Sequence, residues 1–280
     1  MKISVIGTGT MGSGIVQTFA QAGVAVVMKG ENQSELDRGS NMILKSLSWL
    51  VEKNSITVSE KERALSLITP TIEYSAIKDS ALILEVVIEQ IELKKEIFSH
   101  IDKIASPTTI LASNTSSLSI TQLAAATSRP SQVVGMHFFN PAPIMKLVEV
   151  IKGEHTSNTT AQFVYDLAKE IGKTPIFVNE SAGFVVNRVL IPMINEAVAL
   201  LAEGVASAQE IDEAMKSGAN HPIGPLALAD LIGNDVCLAI MEVLQEELGE
   251  DKYRAHPLLK KMVRAGKLGR KSGVGFYSYR

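Results

Sequence analysis

The feature that most constrains the fold is a glycine-rich turn directly after the first apolar run of the chain. Residues 2–6 form a mostly apolar run rich in β-branched residues, which is typical of a buried parallel strand. Gly7, Gly9 and Gly12 follow in the order G-x-G-x-x-G, and residues 13–22 have the pattern of a helix. A strand, a tight turn and a helix in this order predict a dinucleotide-binding site in a doubly wound parallel sheet.

The glycines have different roles in such a site. Gly7 permits the turn, Gly9 lets the backbone approach a pyrophosphate, and Gly12 lets helix and strand pack closely. Thr10 and Met11 lie at the start of the helix, where free N–H groups bind the anion. A structural glycine turn is the alternative, but the position directly after the first strand favours a nucleotide site.

The end of the second predicted strand, residues 25–28, decides which dinucleotide is bound. An acidic residue normally accepts the hydroxyls of the adenosine ribose there. This chain reads Lys29-Gly30-Glu31, so Glu31 is the acceptor one residue late, or the acceptor is missing. Lys29 also suits a 2′-phosphate, so the predicted cofactor is NAD, with NADP left open.

Strand and helix patterns alternate in the first part of the chain and then give way to helical patterns alone. Residues 34–54 and a shorter helix opened by Ser59-x-x-Glu62 predict a helical hairpin inserted after the second strand. The sequence therefore predicts an α/β fold. A Rossmann-type doubly wound sheet occupies residues 1–182, and an all-helical domain occupies residues 183–280.

Four small polar residues, Asn114 to Ser117, follow a predicted strand that ends at Ser113. An open parallel sheet binds its ligand beyond the carboxyl ends of its strands. Such residues also form helix caps and turns, and both roles are compatible with this position. Asn114 and Ser116 are therefore candidate site residues.

Residues 133–151 read as two short strands joined by a turn, because Pro141 and Pro143 cannot continue a strand ladder. His137 lies near the end of the first strand and Glu149 inside the second. If the strands fold back on each other, the carboxylate can fix the histidine tautomer and raise its basicity. Taken alone, this stretch favours a core histidine and a glutamate on a solvated strand face.

The composition of the chain indicates which classes of binding partner and which cellular compartment to expect. The chain has 280 residues, and 27 basic and 30 acidic side chains give a net charge of −3, which indicates neither nucleic acid nor a membrane surface as a partner. The single cysteine, Cys237, lies in an apolar run, which predicts a buried, inert thiol in a reducing compartment. We expect a cytoplasmic protein, and no metal site is predicted.

Taken together, several strings resemble the L-3-hydroxyacyl-CoA dehydrogenase family, most closely its short bacterial branch. In chain order they are GTGTMGSGI, SNTSSLSI, GMHFFNPAPIMKLVEVI, GFVVNRVLIPMINEA, NHPIGPLALADLIG and GRKSGVGFYSY. The resemblance covers essentially the whole chain, and strings of this length are highly specific. It implies a Rossmann domain with a helical-hairpin insertion, followed by a helical domain that forms a homodimer. The implied reaction is reversible hydride transfer between a nicotinamide cofactor and 3-hydroxybutyryl-CoA or a related short-chain 3-hydroxyacyl-CoA.

The resemblance also implies roles for single residues. His137 corresponds to the general base and Glu149 to the residue that orients it. Ser116 and Asn187 correspond to residues that contact the reacting substrate oxygen. Further candidates are Asn140 for both substrate and cofactor, Asn114, Ser116, Glu89 and Lys94 for the cofactor, and Lys53 for the substrate, although Lys53 also reads as a solvated charge.

Two residues depart from the family pattern. Gly30 stands where the family usually has an aspartate, which leaves the preference for NAD open. Val86 stands where the family usually has an alanine beside the cofactor, so either the larger side chain crowds the cofactor or the backbone shifts.

Two rival functions follow from the same predicted architecture. Dehydrogenases of the 3-hydroxyisobutyrate and 6-phosphogluconate type act on small acids with a catalytic lysine, and the His137–Glu149 pair argues against them. A dinucleotide-binding protein without activity is the other rival. The presence of His137, Glu149, Ser116 and Asn187 together argues against it.

Overall fold

The computed structural model describes residues 1–279 and divides into two compact units, Met1–Glu180 and a second unit that begins at Ser181. The first unit contains a sheet with helices packed against it, and the second contains helices only among the elements described. The fold class predicted from the sequence is confirmed.

Eight strands make up the sheet of the first unit: β1 (Lys2–Ile6), β2 (Ala25–Lys29), β3 (Ile68–Thr71), β4 (Leu82–Glu85), β5 (Ile110–Ser113), β6 (Val133–Phe138), β7 (Leu147–Lys152) and β8 (Thr174–Asn179). Their order across the sheet is β3-β2-β1-β4-β5-β6-β7-β8. Only β6 and β7 run antiparallel to each other, and the other neighbouring pairs are parallel. The carboxyl ends of β1, β2, β4, β5 and β6 therefore meet at one edge, where a ligand binds in such sheets.

The helices of this unit are α1 (Thr10–Gln21), α2 (Gln33–Glu52), α3 (Val58–Ser66), α4 (Ile91–Ile104), α5 (Ile120–Ala124) and α6 (Asn158–Glu170). The main core lies between these helices and the sheet. For example, Phe19 of α1 packs edge-on against Phe138 of β6, with ring centroids 6.2 Å apart. This contact places the helix that follows the glycine-rich turn over the strand that carries His137.

The predicted helical hairpin is formed by α2 and α3, but its cap differs from the prediction. Thr57 Oγ1 accepts a hydrogen bond from the Glu60 N–H at 3.1 Å, and the Glu60 carboxylate accepts one from the Thr57 N–H at 2.7 Å. The capping box is therefore Thr57–Glu60, and the predicted Ser59–Glu62 box is wrong because Ser59 lies inside α3. Strand β3 follows the hairpin and was not predicted, since its Pro70 disfavours a strand except at a sheet edge, where β3 lies.

Five helices make up the second unit: α7 (Val186–Ala202), α8 (Ala208–Ala219), α9 (Pro225–Ile232), α10 (Asn234–Leu248) and α11 (Pro257–Arg264). A capping box formed by Ser207 and Glu210 opens α8, and Gly233 separates α9 from α10. Across residues 1–279, no helix combines the length and the apolar character needed to span a membrane.

Asp230 of α9 anchors the C-terminal segment within this unit. The side chain is 1% exposed, and its carboxylate accepts hydrogen bonds from the N–H groups of Phe276 at 3.0 Å and Tyr277 at 2.9 Å and from the Tyr279 hydroxyl at 3.1 Å. A side chain on Gly275 would overlap this carboxylate. The conformation of the C-terminal GVGFYSY string therefore depends on one buried charge.

We predict that Asp230→Asn destabilises the protein by about 2–4 kcal/mol, because an amide replaces a charged acceptor and turns its NH2 toward backbone donors. Urea denaturation measures the change in the free energy of unfolding. Asp251→Asn, at an exposed position of the same unit, is the matched control, and its effect should stay within about 0.5 kcal/mol. Equal stability of the two variants would contradict the anchoring role.

Candidate active site

A cleft of about 1030 Å³ lies at the edge where the parallel strands of the first unit end. The glycine-rich turn after β1, the end of β2 with the first half of α2, and the segment after β4 line it. A cleft at this position of a doubly wound sheet is where a dinucleotide binds.

The glycines of the turn fit a dinucleotide. Gly7 has a φ of +111°, and a Cβ there would lie 2.5 Å from the carbonyl oxygen of Val86. A Cβ on Gly12 would overlap the carbonyl oxygen of Gly7, so helix and strand are in close contact, whereas Gly9 faces open space. Gly9 is also the N-cap of α1 and supplies no side-chain acceptor, so the unpaired N–H groups of the first turn are left for an anion.

Val86, the second departure from the family pattern, belongs to this packing. Its N–H donates to the carbonyl oxygen of Ile6 at 2.8 Å, and its side chain is partly buried against the core. The residue lines the cleft, and its backbone lies against Gly7. The larger side chain is thus accommodated without disturbing the turn.

The end of β2 carries no acidic side chain. Lys29 is 7% exposed, and its ammonium lies 4.0 Å from the centroid of the Tyr74 ring. Burial lowers the pKa of Lys29, an effect that nearby Glu31 and Glu35 partly offset. Gly30 is buried, and Glu31, the predicted ribose acceptor, is exposed.

His137 and Glu149 lie opposite each other in the antiparallel pair β6–β7. Opposed residues of such a pair project to the same face, and Nδ1 of His137 is 2.7 Å from Oε2 of Glu149. The histidine is 5% exposed and the glutamate 0% exposed, so the alternative of a glutamate on a solvated strand face is wrong. A carboxylate at Nδ1 selects the tautomer in which Nε2 can accept a proton.

The loop after β5 is tied to both neighbouring strands. Asn114 Oδ1 accepts a hydrogen bond from the N–H of Phe138 at 2.8 Å, next to His137 in the chain. The N–H of Asn114 donates to the carbonyl oxygen of Glu85 at 2.9 Å. The loop that contains Ser116 is therefore fixed against the strand that carries the histidine.

Glu89 holds Ser116 directly. Its Oε1 accepts hydrogen bonds from the N–H of Ser116 at 2.7 Å, from the Ser116 hydroxyl at 3.2 Å and from the Thr115 hydroxyl at 2.5 Å. Burial favours the neutral form of Glu89, but the Lys94 ammonium and these hydrogen bonds outweigh it and hold the pKa of the carboxyl below its usual range. Glu89 is therefore ionised at neutral pH.

Lys94 joins Glu89 to the buried Glu85 in an ion triad. The ammonium of Lys94 lies 2.7 Å from Glu85 Oε1, 3.3 Å from Glu89 Oε2 and 3.2 Å from the carbonyl oxygen of Val87. Lys94 is 1% exposed and Glu85 0% exposed, and Glu85 Oε2 also accepts from the Ser113 hydroxyl at 2.7 Å. Three acceptors match the three N–H groups of an ammonium. Lys94 thus suits a residue that positions Glu89, and the predicted direct contact with the cofactor stays a prediction.

The other predicted site residues have different surroundings. Asn140 is exposed at the turn after β6, and Lys53 is exposed at the end of α2 and does not line the cleft. Asn187 lies in the first turn of α7, in the second unit. The roles of these three residues stay predictions.

Sequence reasoning missed the central role of Glu85. It assigned no function to this residue. An acidic residue that ends an otherwise apolar strand was the available signal, because a buried carboxylate requires a partner.

Comparison with known proteins gives consistent results for both units. Family models for 3-hydroxyacyl-CoA dehydrogenase match the chain, the NAD binding domain over residues 2–181 and the C-terminal domain over residues 183–279. The 3-hydroxybutyryl-CoA dehydrogenase of Clostridioides difficile is 57% identical, over 100% of this chain and 99% of that protein.

Solved structures agree with the sequence relatives. The crystal structure of (S)-3-hydroxybutyryl-CoA dehydrogenase from Ralstonia eutropha has a TM-score of 0.97 at 49% identity and covers 100% of this chain and 99% of its own. That of FadB2 from Mycobacterium tuberculosis has a TM-score of 0.98 at 40% identity and covers 99% of this chain and 98% of its own.

We predict that Lys94→Met and Glu85→Gln are each strongly destabilising and that their effects are not additive. Lys94→Met leaves the buried Glu85 carboxylate without its cation, which costs about 3–5 kcal/mol. The double variant removes both charges and should cost less than the sum of the two single variants. Urea denaturation of the wild type, the two single variants and the double variant measures the coupling between the two changes in the free energy of unfolding. Additive changes would contradict the ion triad.

We predict a pH-dependent effect of Glu89→Gln. The pKa of Glu89 is lowered in the folded protein, so its carboxylate contributes stability above the unfolded-state pKa of about 4.3, and this contribution is lost as the pH falls through the folded-state pKa. The difference in melting temperature between wild type and variant should therefore shrink from pH 7 toward pH 3. Glu92→Gln, at an exposed position of α4, is the control and should show a small, constant difference.

Proposed function

The chain belongs to the 3-hydroxyacyl-CoA dehydrogenase family, and we propose that it catalyses reversible hydride transfer between NAD and C3 of a short-chain 3-hydroxyacyl-CoA. The substrate pair that fits best is (S)-3-hydroxybutyryl-CoA and acetoacetyl-CoA. The relatives from Clostridioides difficile and Ralstonia eutropha, both 3-hydroxybutyryl-CoA dehydrogenases, support this choice. The observation that carries the proposal is the 2.7 Å contact between His137 and the buried Glu149.

In this proposal His137 is the general base of the oxidation. Its Nε2 takes the proton of the substrate hydroxyl, and in the reduction the same nitrogen returns a proton to the developing alkoxide. Glu149 keeps Nδ1 protonated and stabilises the imidazolium, which is the charge that forms on the protein. Nicotinamide, when bound, supplies or accepts the hydride.

Ser116 donates a hydrogen bond to the reacting oxygen. Such a donor is effective only if it is already oriented when negative charge develops. The hydrogen bond from the N–H of Ser116 to Glu89 supports this orientation, because it fixes the backbone of the residue next to the site. The hydroxyl of Ser116 donates to Glu89 at 3.2 Å in this structure, and in the proposal it turns to the substrate oxygen when substrate binds. We assign the same role to Asn187, on its correspondence with the family pattern.

The buried lysines of the first unit do not favour the rival class of dehydrogenases, which act on small acids with a catalytic lysine. Lys29, the buried lysine that lines the cleft, has its ammonium over the Tyr74 ring. Lys94, the buried lysine beneath the serine loop, has its ammonium engaged by Glu85, Glu89 and a backbone carbonyl. Three acceptors thus already use the three N–H groups of this ammonium. A histidine oriented by a carboxylate is, by contrast, the arrangement of a general base.

We further propose that the enzyme is cytoplasmic and forms a homodimer through its helical domain. The second unit exposes large apolar side chains at Val185, Val189, Val205, Leu231 and Val236, which a partner subunit would cover in the proposed dimer. Cys237 is fully buried, and burial raises the pKa of its thiol to about 12, so it suits a structural residue. Sedimentation of the purified protein would test the dimer.

We predict that His137→Gln lowers the turnover number for acetoacetyl-CoA reduction by about 10²–10⁴-fold, since general acid–base catalysis typically contributes this factor. The affinity for NADH should change little, because the proposed role of His137 is to exchange a proton with the substrate and not to contact the cofactor. Steady-state kinetics and NADH titration measure the two effects separately.

Glu149→Gln should also impair turnover, because an amide cannot stabilise the imidazolium. The exposed His155 provides the control variant His155→Gln, which should have wild-type kinetics. A His137→Gln enzyme that turns over at close to the wild-type rate would exclude the assigned base.

A further inference from the structure

We infer that Glu35, in the first turn of α2, takes the place of the missing acidic residue after β2 and accepts the ribose hydroxyls in the adenosine half of NAD. The inference rests on the proposed function, because it concerns the cofactor of the same site. It assigns the discrimination between NAD and NADP to a residue that the sequence motif does not mark.

The usual acceptor position is closed to a side chain. A Cβ on Gly30 would lie 2.8 Å from Cγ of Leu36 and 3.3 Å from Cγ2 of Thr8. Leu36 is 2% exposed and belongs to the core, so it cannot move aside cheaply. Apolar atoms therefore occupy the space where a carboxylate would begin, and the acceptor must come from another element.

The backbone of Glu35 is fixed on both sides. Its N–H donates to the capping side chain of Asn32 at 3.0 Å, and its carbonyl oxygen accepts from the hydroxyl of Thr8 at 3.1 Å. Thr8 lies inside the glycine-rich turn. The glycine-rich turn, which would hold the pyrophosphate, is thus hydrogen-bonded directly to Glu35, which would hold the ribose. This bond fixes the distance between the pyrophosphate site and the ribose site.

The carboxylate of Glu35 is turned toward the end of β2. Its Oε2 lies 3.4 Å from the backbone nitrogen of Glu31, the second residue after the strand. The side chain is 33% exposed and lines the cleft together with the glycine-rich turn. This is the position at which dinucleotide folds present an acceptor to the ribose.

Glu31, the acceptor predicted from the sequence, also lines the cleft, but it interacts with other groups there. It is exposed, and its charge acts on the Lys29–Tyr74 pair. Burial and the Glu31 carboxylate together raise the pKa of the Tyr74 hydroxyl. Glu31 is thus an exposed carboxylate near Lys29, whereas Glu35 has its carboxylate beside the backbone N–H that follows the strand end.

The charge of Glu35 determines the cofactor preference. A carboxylate accepts hydrogen bonds from two ribose hydroxyls but repels a 2′-phosphate. Arg38 lies one turn further along α2, with its guanidinium 3.9 Å from Glu35 Oε1, and Lys45 of the same helix also lines the cleft. Removing the charge of Glu35 would leave these cations to attract the 2′-phosphate.

The test compares NADH and NADPH binding, measured without substrate by titration of the full-length protein. Glu35→Gln keeps both backbone hydrogen bonds of the residue and should weaken NADH binding by about tenfold while NADPH binds at least as tightly as to wild type. Glu31→Gln tests the competing acceptor and should cause a smaller loss. Glu73→Gln is the matched control, because Glu73 is an acidic neighbour of Lys29 that does not line the cleft.

Wild-type affinity of Glu35→Gln for NADH, or a larger loss in Glu31→Gln, would overturn the inference. In kinetics, Glu35→Gln should raise the KM for NADH and leave kcat close to wild type, because a remote contact binds ground state and transition state equally. A wild-type protein that binds NADH but does not reduce acetoacetyl-CoA would refute the proposed function, while the binding comparison would still decide the role of Glu35.

Discussion

The proposed chemistry depends on one antiparallel pairing in an otherwise parallel sheet. The turn between β6 and β7 reverses the chain, so that His137 and Glu149, twelve residues apart, become directly opposed. Glu149 is 0% exposed, and a buried carboxyl group requires a hydrogen-bond partner, which the imidazole of His137 supplies. The same contact that stabilises the buried glutamate also prepares the histidine for proton transfer.

A second set of buried charges supports the neighbouring strand ends. Glu85 ends β4, Ser113 ends β5, and Lys94 of α4 bonds to Glu85 while Glu89 connects this set to Ser116. Because β4, β5 and β6 are adjacent in the sheet, the loops that follow them are brought to the same edge. The sheet order and the ion triad together hold the serine loop beside the strand of the histidine.

The sequence predicted those features that depend on neighbouring residues. The glycine-rich turn followed from local spacing. The meeting of His137 and Glu149 was predicted only on the condition that the strands fold back, and the assignment of the pair came from the family resemblance, because the stretch alone favoured a glutamate on a solvated face. Features that depend on contacts between distant residues were missed. Glu85, the partner of Lys94, lies on a different element from Lys94, and Leu36, whose side chain fills the space beside Gly30, lies on α2. The cap of α3 was misassigned because Thr57–Glu60 and Ser59–Glu62 have the same spacing, and only the first residue of the helix distinguishes them.

The most direct test of this account is the reduction of acetoacetyl-CoA by the purified wild-type protein, followed by the loss of NADH absorbance, with free acetoacetate as the comparison substrate. The account predicts turnover of the thioester and a negligible rate with the free acid. A folded protein that binds NADH but turns over neither compound would contradict the account. Equal rates with the two substrates would contradict it as well, and would favour a dehydrogenase of small acids.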